Sequence, residues 1–353
     1  MKVLKNEAIE LLKELIKTQS FSGEEQETAQ LIMQWFTQQN IPFETSRYNV
    51  WAVNKHYDAS KPTILLNSHH DTVRPNKGYT NNPLDAFVEE GKLFGLGSND
   101  AGGCLVSLLA AFTHFYKQEN LVYNLVIVAS AEEENSGPNG LNSMLSIIPK
   151  IDVAIVGEPT QMEMAVSEKG LLVIDGKSIG EPGHAAHGLG VNSIYQAMKD
   201  IEWIQSYKFP KTSKSLGEVR MTVTQINAGR QHNVIPAECD FVVDVRVTDA
   251  YSNQEVLTII QEHTVCDLQA RSLRLNSSSI PQDHKIVQAG IAMGRKTYGS
   301  ATLSDQAVLS CPSVKMGPGD THRSHSADEF IYLKEIEEGI EIYVALLTKV
   351  MIK

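Results

Sequence analysis

Cysteine is scarce here and never closely paired: Cys104, Cys239, Cys266 and Cys311 stand far apart, with no Cys-x-x-Cys among them. That argues against a zinc ribbon or a disulfide framework and fits a reducing compartment, the cytoplasm. Positive charge is also in deficit, with 31 Lys and Arg against 42 Asp and Glu and a formal net charge of −11. A broad electrostatic grip on nucleic acid or on an anionic membrane is therefore not expected, although a local basic pocket for an anionic small molecule remains open. No apolar run approaches the roughly twenty residues a membrane-spanning helix needs. The opening residues, with Lys2, Lys5 and Glu7 among apolar ones, lack the pattern of a secretory signal. Nucleotide loops are missing as well: Gly95-Leu96-Gly97 stops short of GxGxxG, and no Walker lysine motif occurs. A soluble cytoplasmic protein with a small-molecule partner is the expectation.

What is present is enough apolar sequence for about two cores, 42 % of 353 residues. Leu4, Ala8, Leu11, Leu12, Leu15 and Ile16 recur at helical spacing, and Ser22 with Glu25 reads as a capping box before Ala29, Ile32, Met33 and Phe36. Apolar runs at 63–66, 125–129 and 153–156 alternate with helical stretches such as 105–116, the pattern of an α/β fold with a largely parallel sheet and some antiparallel strands. Polar clusters follow each run directly: Ser68-His69-His70-Asp71, Glu132-Glu133-Glu134 and Gly157-Glu158-Pro159. Ligands of open α/β sheets bind beyond the carboxyl ends of strands, so these clusters are expected to converge. From 168 to 275 the order becomes strand, helix, two strands, helix, strand (171–178, 193–206, 218–227, 239–247, 253–264, 268–275), a ferredoxin-like α+β unit. We read it as an insertion in a catalytic domain formed by 1–167 and 276–353, with Ser277-Ser278-Ser279 as the return linker. Helical spacing resumes at 286–298 and again near 333–350. Met162, Met164 and the stripe Leu105, Leu108, Leu109 and Phe112 read as packing residues.

Several of these clusters carry the residue types of a metal site. Neutral imidazole is a common zinc ligand, and a nearby carboxylate can orient it through its other ring nitrogen, which makes His69-His70-Asp71 a candidate. Asp100, in the glycine-rich stretch Gly95–Gly103, has two readings: the N-cap of the following helix, or a carboxylate that bridges two metals. Three successive glutamates after a buried strand repel one another and make poor strand. In a two-metal hydrolase one of them binds metal while its neighbour takes a proton from water. Together His69, Asp100, Glu134, Glu158 and His325 supply two nitrogen and three carboxylate ligands, enough for two zinc ions if Asp100 bridges.

With these motifs in order, and with Gly183-His184, Asn233-Val234-Ile235-Pro236 and Gly317-Pro318-Gly319 before His325, the whole chain resembles the metallopeptidase family that contains acetylornithine deacetylase, succinyl-diaminopimelate desuccinylase, aminoacylase and carboxypeptidase G. The resemblance implies two Zn²⁺ per subunit, with Co²⁺ able to substitute. His69 and Glu158 would bind one ion, Glu134 and His325 the other, and Asp100 both. It makes Asp71 the residue that orients His69, and Glu133 the general base. The family has Asp-Glu-Glu where this chain has Glu132-Glu133-Glu134, and the spacing to Gly140 favours Glu133 over Glu132. It further implies a homodimer through the inserted domain, with His184 stabilising the oxyanion in the partner's site and Asn233 and Arg246 holding a substrate carboxylate. Read without the resemblance, His184 is a loop hydrogen-bonder and Arg246 a surface strand charge. His187, His232 and His322, near motif positions, are left unassigned. The implied activity is hydrolysis of a small N-acyl amino acid, with N-acetylornithine or N-succinylornithine in arginine synthesis leading. Succinyl-diaminopimelate desuccinylase and dipeptidase are its nearest alternatives. A non-catalytic binding protein on the same fold is the alternative of another class, disfavoured because all five ligands and Glu133 are retained.

Overall fold

Three strands, Thr63–His69, Asn124–Ser130 and Val153–Val156, are buried at every residue. Such continuity requires both faces of a sheet to be covered. In the computed structural model, which describes residues 1–352, Ile64 and Leu66 face a core with Leu12, Leu105, Phe112 and Tyr343, while Leu65 faces Val126, Val128, Leu141 and Met144 on the other side. The sheet runs Glu44–Ser46, Asn49–Val53, Asn124–Ser130, Thr63–His69, Val153–Val156, Ser313–Lys315 and Met164–Glu168. Its centre is parallel and its flanks are antiparallel.

Two compact units are distinct. The first comprises 1–166, 279–298 and 304–353; the second comprises 167–278 with 299–303. The first is mixed α/β. Helices Lys2–Lys17, Gly103–Phe115 and Leu333–Met351 supply a large share of its larger core, and the 103–115 helix is buried on nearly every side, as its almost unbroken apolar sequence requires.

The second unit is α+β. Strands Arg220–Ala228, Glu238–Val247, Gly170–Ile179 and Asp267–Ala270 lie in that order, each pair antiparallel. Helices Ser193–Ser206 and Asn253–His263 share its core: Ala197, Ile204, Val256 and Ile260 cluster with Leu172, Ile174, Phe241 and Val243. Alternation along 238–247 puts Cys239, Phe241, Val243 and Val245 inside and leaves Asp240, Val242, Asp244 and Arg246 on the other face.

Several local expectations fail, and the strand expected over 268–275 is confined to Asp267–Ala270. The helix Gln26–Gln38 has no side-chain cap: Ser22 Oγ instead donates to Asp71 Oδ2 at 2.7 Å, and Glu25 Oε1 accepts from the amides of Gly23 and Glu132. A true capping box forms at Ser252 and Glu255. The helix after 285 stops at Ala292, where Gly294 turns the chain at φ +79° into the strand Thr297–Ser300. Among the described residues, no helix is long and apolar enough to cross a membrane.

Candidate metal centre

Parallel pairing puts the carboxyl ends of the strands ending at His69, Ser130, Val156 and Lys315 on one edge of the sheet. The residues that follow therefore meet there. His69 is 1 % exposed. Its Nδ1 lies 3.0 Å from the Asp71 carbonyl and 3.3 Å from Asp71 Oδ1, two acceptors, so this nitrogen carries the proton. Its Nε2 is buried with no hydrogen-bond partner among the described residues. It faces Asp100 Oδ1 at 3.3 Å, Glu158 Oε1 at 3.8 Å and Glu133 Oε2 at 3.9 Å. Burial opposes a charge on His69, yet Asp100, Asp71, Glu133 and Glu158 outweigh it and hold its pKa well above the ordinary value. His70 turns the other way, between Thr28 Oγ1 and the Tyr48 carbonyl, and burial lowers its pKa to about 4.

Asp71 does more than orient a ring. Its Oδ1 accepts from the amide of Glu133 and its Oδ2 from the amide of Glu134, both at 3.1 Å. Burial disfavours its charge, but His69, Ser22 and the Glu134 amide overcome this and keep its pKa below the ordinary value. The neighbouring amide, of Glu132, is held by Glu25 at 3.0 Å, and Glu132 takes a φ of +54°. These bonds fan the three glutamates apart. The Glu132 carboxylate folds back onto Asn139, accepting from its backbone amide at 3.1 Å and its side chain at 2.9 Å. Glu133 faces His69, and Glu134 Oε2 lies 2.9 Å from His325 Nε2. Burial pushes the Glu133 pKa well above the carboxyl range, with Glu158, Asp305 and Glu134 adding to it against the pull of His69.

Asp100 is not a helix cap. The helix Gly103–Phe115 has Gly102 at its N-cap position and no side-chain cap bond, and Asp100 has an extended φ/ψ of −118°/99°. Its Oδ1 points to His69 and its Oδ2 lies 3.8 Å from His325 Nε2. Glu134 raises His325 to about 9, and burial followed by the charge of Asp100 raises Glu158 to about 8. Two overlapping triads result, His69–Asp100–Glu134 and His69–Glu133–Glu158, with the donor atoms of each within 4.8 Å of one another. An unpartnered imidazole nitrogen among crowded carboxylates is relieved by added positive charge. Nitrogen and carboxylate donors suit a divalent metal ion. The donor set fits a dinuclear metal site.

Three buried acids at this edge escaped the sequence reading. Glu25 has the sequence spacing of a cap residue, which masks its place here. Asp305, which accepts from Ser130 Oγ at 2.6 Å and is raised by burial to about 6, carries no motif of its own. Glu329 lies in the stretch that contains His325, and its spacing of four residues was the available signal. Burial, then Asp100, raises its pKa to about 8.

His184, Asn233 and Arg246 belong to the second unit. Gly183-His184 pairs antiparallel with Val234-Ile235, and the Ala185 amide donates to the Asn233 carbonyl at 3.0 Å, so these two motifs form one small ladder. His184 is exposed; its Nδ1 accepts from the Ala186 amide at 3.2 Å. Arg246 donates from Nε and Nη2 to the two carboxylate oxygens of Asp244, at 2.9 and 3.1 Å, and stands opposite Arg220 on the next strand.

The family model for peptidase family M20/M25/M40 matches residues 65–349. Acetylornithine deacetylase of Proteus mirabilis is 26 % identical over an alignment of 374 positions, covering 96 % of this chain and 95 % of the relative. Succinyl-diaminopimelate desuccinylase of Rickettsia bellii is 26 % identical over 379, covering 98 % and 92 %. Among solved structures, aminopeptidase PepT of Bacillus cereus superposes with a TM-score of 0.77 at 17 % identity, covering 98 % of both chains. The Bacillus subtilis YxeP protein, described as a dinuclear metal binding peptidase, superposes at 0.74 with 16 % identity and 99 % of both chains covered. These likenesses to solved structures establish a shared fold.

Proposed function

Because the chain belongs to peptidase family M20/M25/M40, we propose that it is a two-zinc deacylase that hydrolyses the amide bond of a small N-acylated amino acid. N-acetylornithine or N-succinylornithine, in arginine synthesis, is the leading substrate. The observation that carries the reading is Asp100, whose two carboxylate oxygens face different histidines, His69 and His325. His69 and Glu158 would hold one ion and Glu134 and His325 the other, Asp100 would serve both, and Asp71 would keep the His69 ring turned. Zinc bound there, or cobalt in its place, supplies Lewis-acid polarisation of the scissile carbonyl and acidifies the attacking water. Glu133 takes the water proton on its carboxylate and delivers it to the nitrogen of the leaving amine. Its freedom from other strong partners supports this role, as does the engagement of Glu132 with Asn139.

His184 is the proposed oxyanion donor, and Asn233 with Arg246 the proposed carboxylate grip. For Arg246 to serve, a substrate carboxylate replaces Asp244 on its guanidinium fork, an exchange of like for like. A homodimer through the second unit is supported by the edge strand Arg220–Ala228 and by exposed apolar side chains there: Ile226, 51 % exposed, and Tyr195 and Met198, 66 % and 54 %, on the 193–206 helix. The cytoplasm is the proposed compartment, which suits four unpaired thiols.

The names of the relatives support deacylation of an acylated amino acid rather than a choice among them. The deciding experiment is a panel of N-acetylornithine, N-succinylornithine, N-succinyl-diaminopimelate and simple dipeptides on zinc-loaded enzyme. A kcat/KM for one ornithine derivative well above the rest is expected. Similar values across the panel would remove the biosynthetic assignment, and preference for a dipeptide would make the enzyme a dipeptidase.

A further inference from the structure

Asp100 sits on a backbone that no regular element supports. Residues 98–102 form an irregular turn whose φ/ψ angles at Asp100 and Ala101 are not helical, so its amides need partners from elsewhere. Glu329 provides them. This side chain is 2 % exposed. Its Oε1 accepts from the amides of Asn99 and Asp100, both at 2.8 Å, and its Oε2 from the amide of Gly97 at 3.0 Å. Its own carbonyl accepts from the Gly95 amide at 3.0 Å, in line with the adjoining pairing of Phe330 with Phe94. Three converging N–H donors call for a carboxylate: the nitrogen of a glutamine in this place would turn its own hydrogens toward one of them.

The same loop carries His325. It is fastened a second time where Asp328 accepts from the amides of Thr80 and Asn81 and from Thr80 Oγ1, and where Asn76 Nδ2 donates to the His325 carbonyl at 3.1 Å. One short segment therefore bears a proposed ligand, His325, and grips the backbone of another, Asp100. We propose that Glu329 is a positioning residue that sets the Asp100 carboxylate between His69 and His325, so that the two metal positions are completed together. The inference rests on the dinuclear reading of the site and adds to it a residue outside the ligand set. Burying a carboxyl group beside Asp100 is costly, and the backbone bonds that Glu329 makes offset part of that cost.

The test is calorimetric titration of Zn²⁺ and of Co²⁺ into metal-free wild type, Glu329→Gln and Glu329→Asp, with thermal melts of each metal-free protein. Wild type should take up two ions. Glu329→Gln, melting within a few degrees of wild type, should bind roughly 10–100-fold more weakly, the range for partners that orient metal ligands. It should lose the second ion first and show an altered visible spectrum with Co²⁺. Glu329→Asp, which keeps the charge on a shorter arm, should fall between. A folded Glu329→Gln that binds two ions as tightly as wild type, with the same spectrum, overturns the inference. So does failure of both variants to fold, which would make Glu329 a structural residue. Uptake of fewer than two ions by wild type itself would overturn the dinuclear reading together with this role, whereas normal wild-type uptake confines any failure to Glu329.

Discussion

Neighbouring glutamates in one turn differ in role because their amides are held differently. Glu25 holds the amide of Glu132 and Asp71 those of Glu133 and Glu134, and the three side chains leave the turn toward Asn139, His69 and His325 respectively. Glu133→Gln should therefore abolish most turnover, by on the order of 10²- to 10⁴-fold for loss of a positioned acid–base group, while metal uptake stays near wild type. Glu132→Gln should keep turnover and lose about 1 kcal/mol of stability as its bonds to Asn139 weaken. Steady-state rates beside metal analysis and urea melts separate the two. An inactive, stable Glu132→Gln would exchange the assignments.

The strand ends set the positions of three ligand-bearing stretches, and the loop after Ser313–Lys315 packs behind them. Gly317 lies against Glu158 and the first turn of the 103–115 helix. A Cβ added there would stand 2.6 Å from the Glu158 carbonyl oxygen and 2.6 Å from Cys104 Sγ. Neither neighbour has free room, since Cys104 is fully buried and donates to the Pro318 carbonyl at 3.2 Å. Gly317→Ala should thus cost about 1–3 kcal/mol, as overpacking does, and should weaken metal binding by shifting Glu158. Denaturant melts of the metal-free protein give the first effect and metal titration the second. Unchanged values in both would mean that the loop relaxes without moving Glu158.

Over the whole molecule, the proposed base and the proposed oxyanion donor stand in different units, Glu133 in the first and His184 in the second. If the dimer completes each site with the partner's histidine, an isologous pair contains two equivalent composite sites. Mixing Glu133→Ala subunits with His184→Ala subunits should then restore activity, because one composite site of each heterodimer holds both intact groups. Subunit exchange verified by mass, followed by assay of the same population, checks this. Verified exchange with no recovered turnover would confine His184 to its own subunit or to the turn it caps.

Much of this was legible in the amino-acid order alone, because its causes are local. The 3.6-residue spacing of Leu4 to Ile16 and the unbroken apolar runs at 63–66, 125–129 and 153–156 specify a helix and buried strands through short-range periodicity. The switch to strand–helix–strand–strand–helix–strand after 168 likewise reveals the α+β unit, and residues directly after strand ends are at a shared edge wherever those strands run parallel. Tertiary structure alone decided the partners. Ser22 and Glu25 have the spacing of a cap, but Asp71 and the Glu132 amide, brought close by folding, take their hydrogen bonds. Asp305 finds Ser130, 175 positions away. Glu329 grips Gly97 across 232 positions. A hydrogen bond is satisfied by whichever group the fold delivers to within about 3 Å, and periodicity carries no information about that distance.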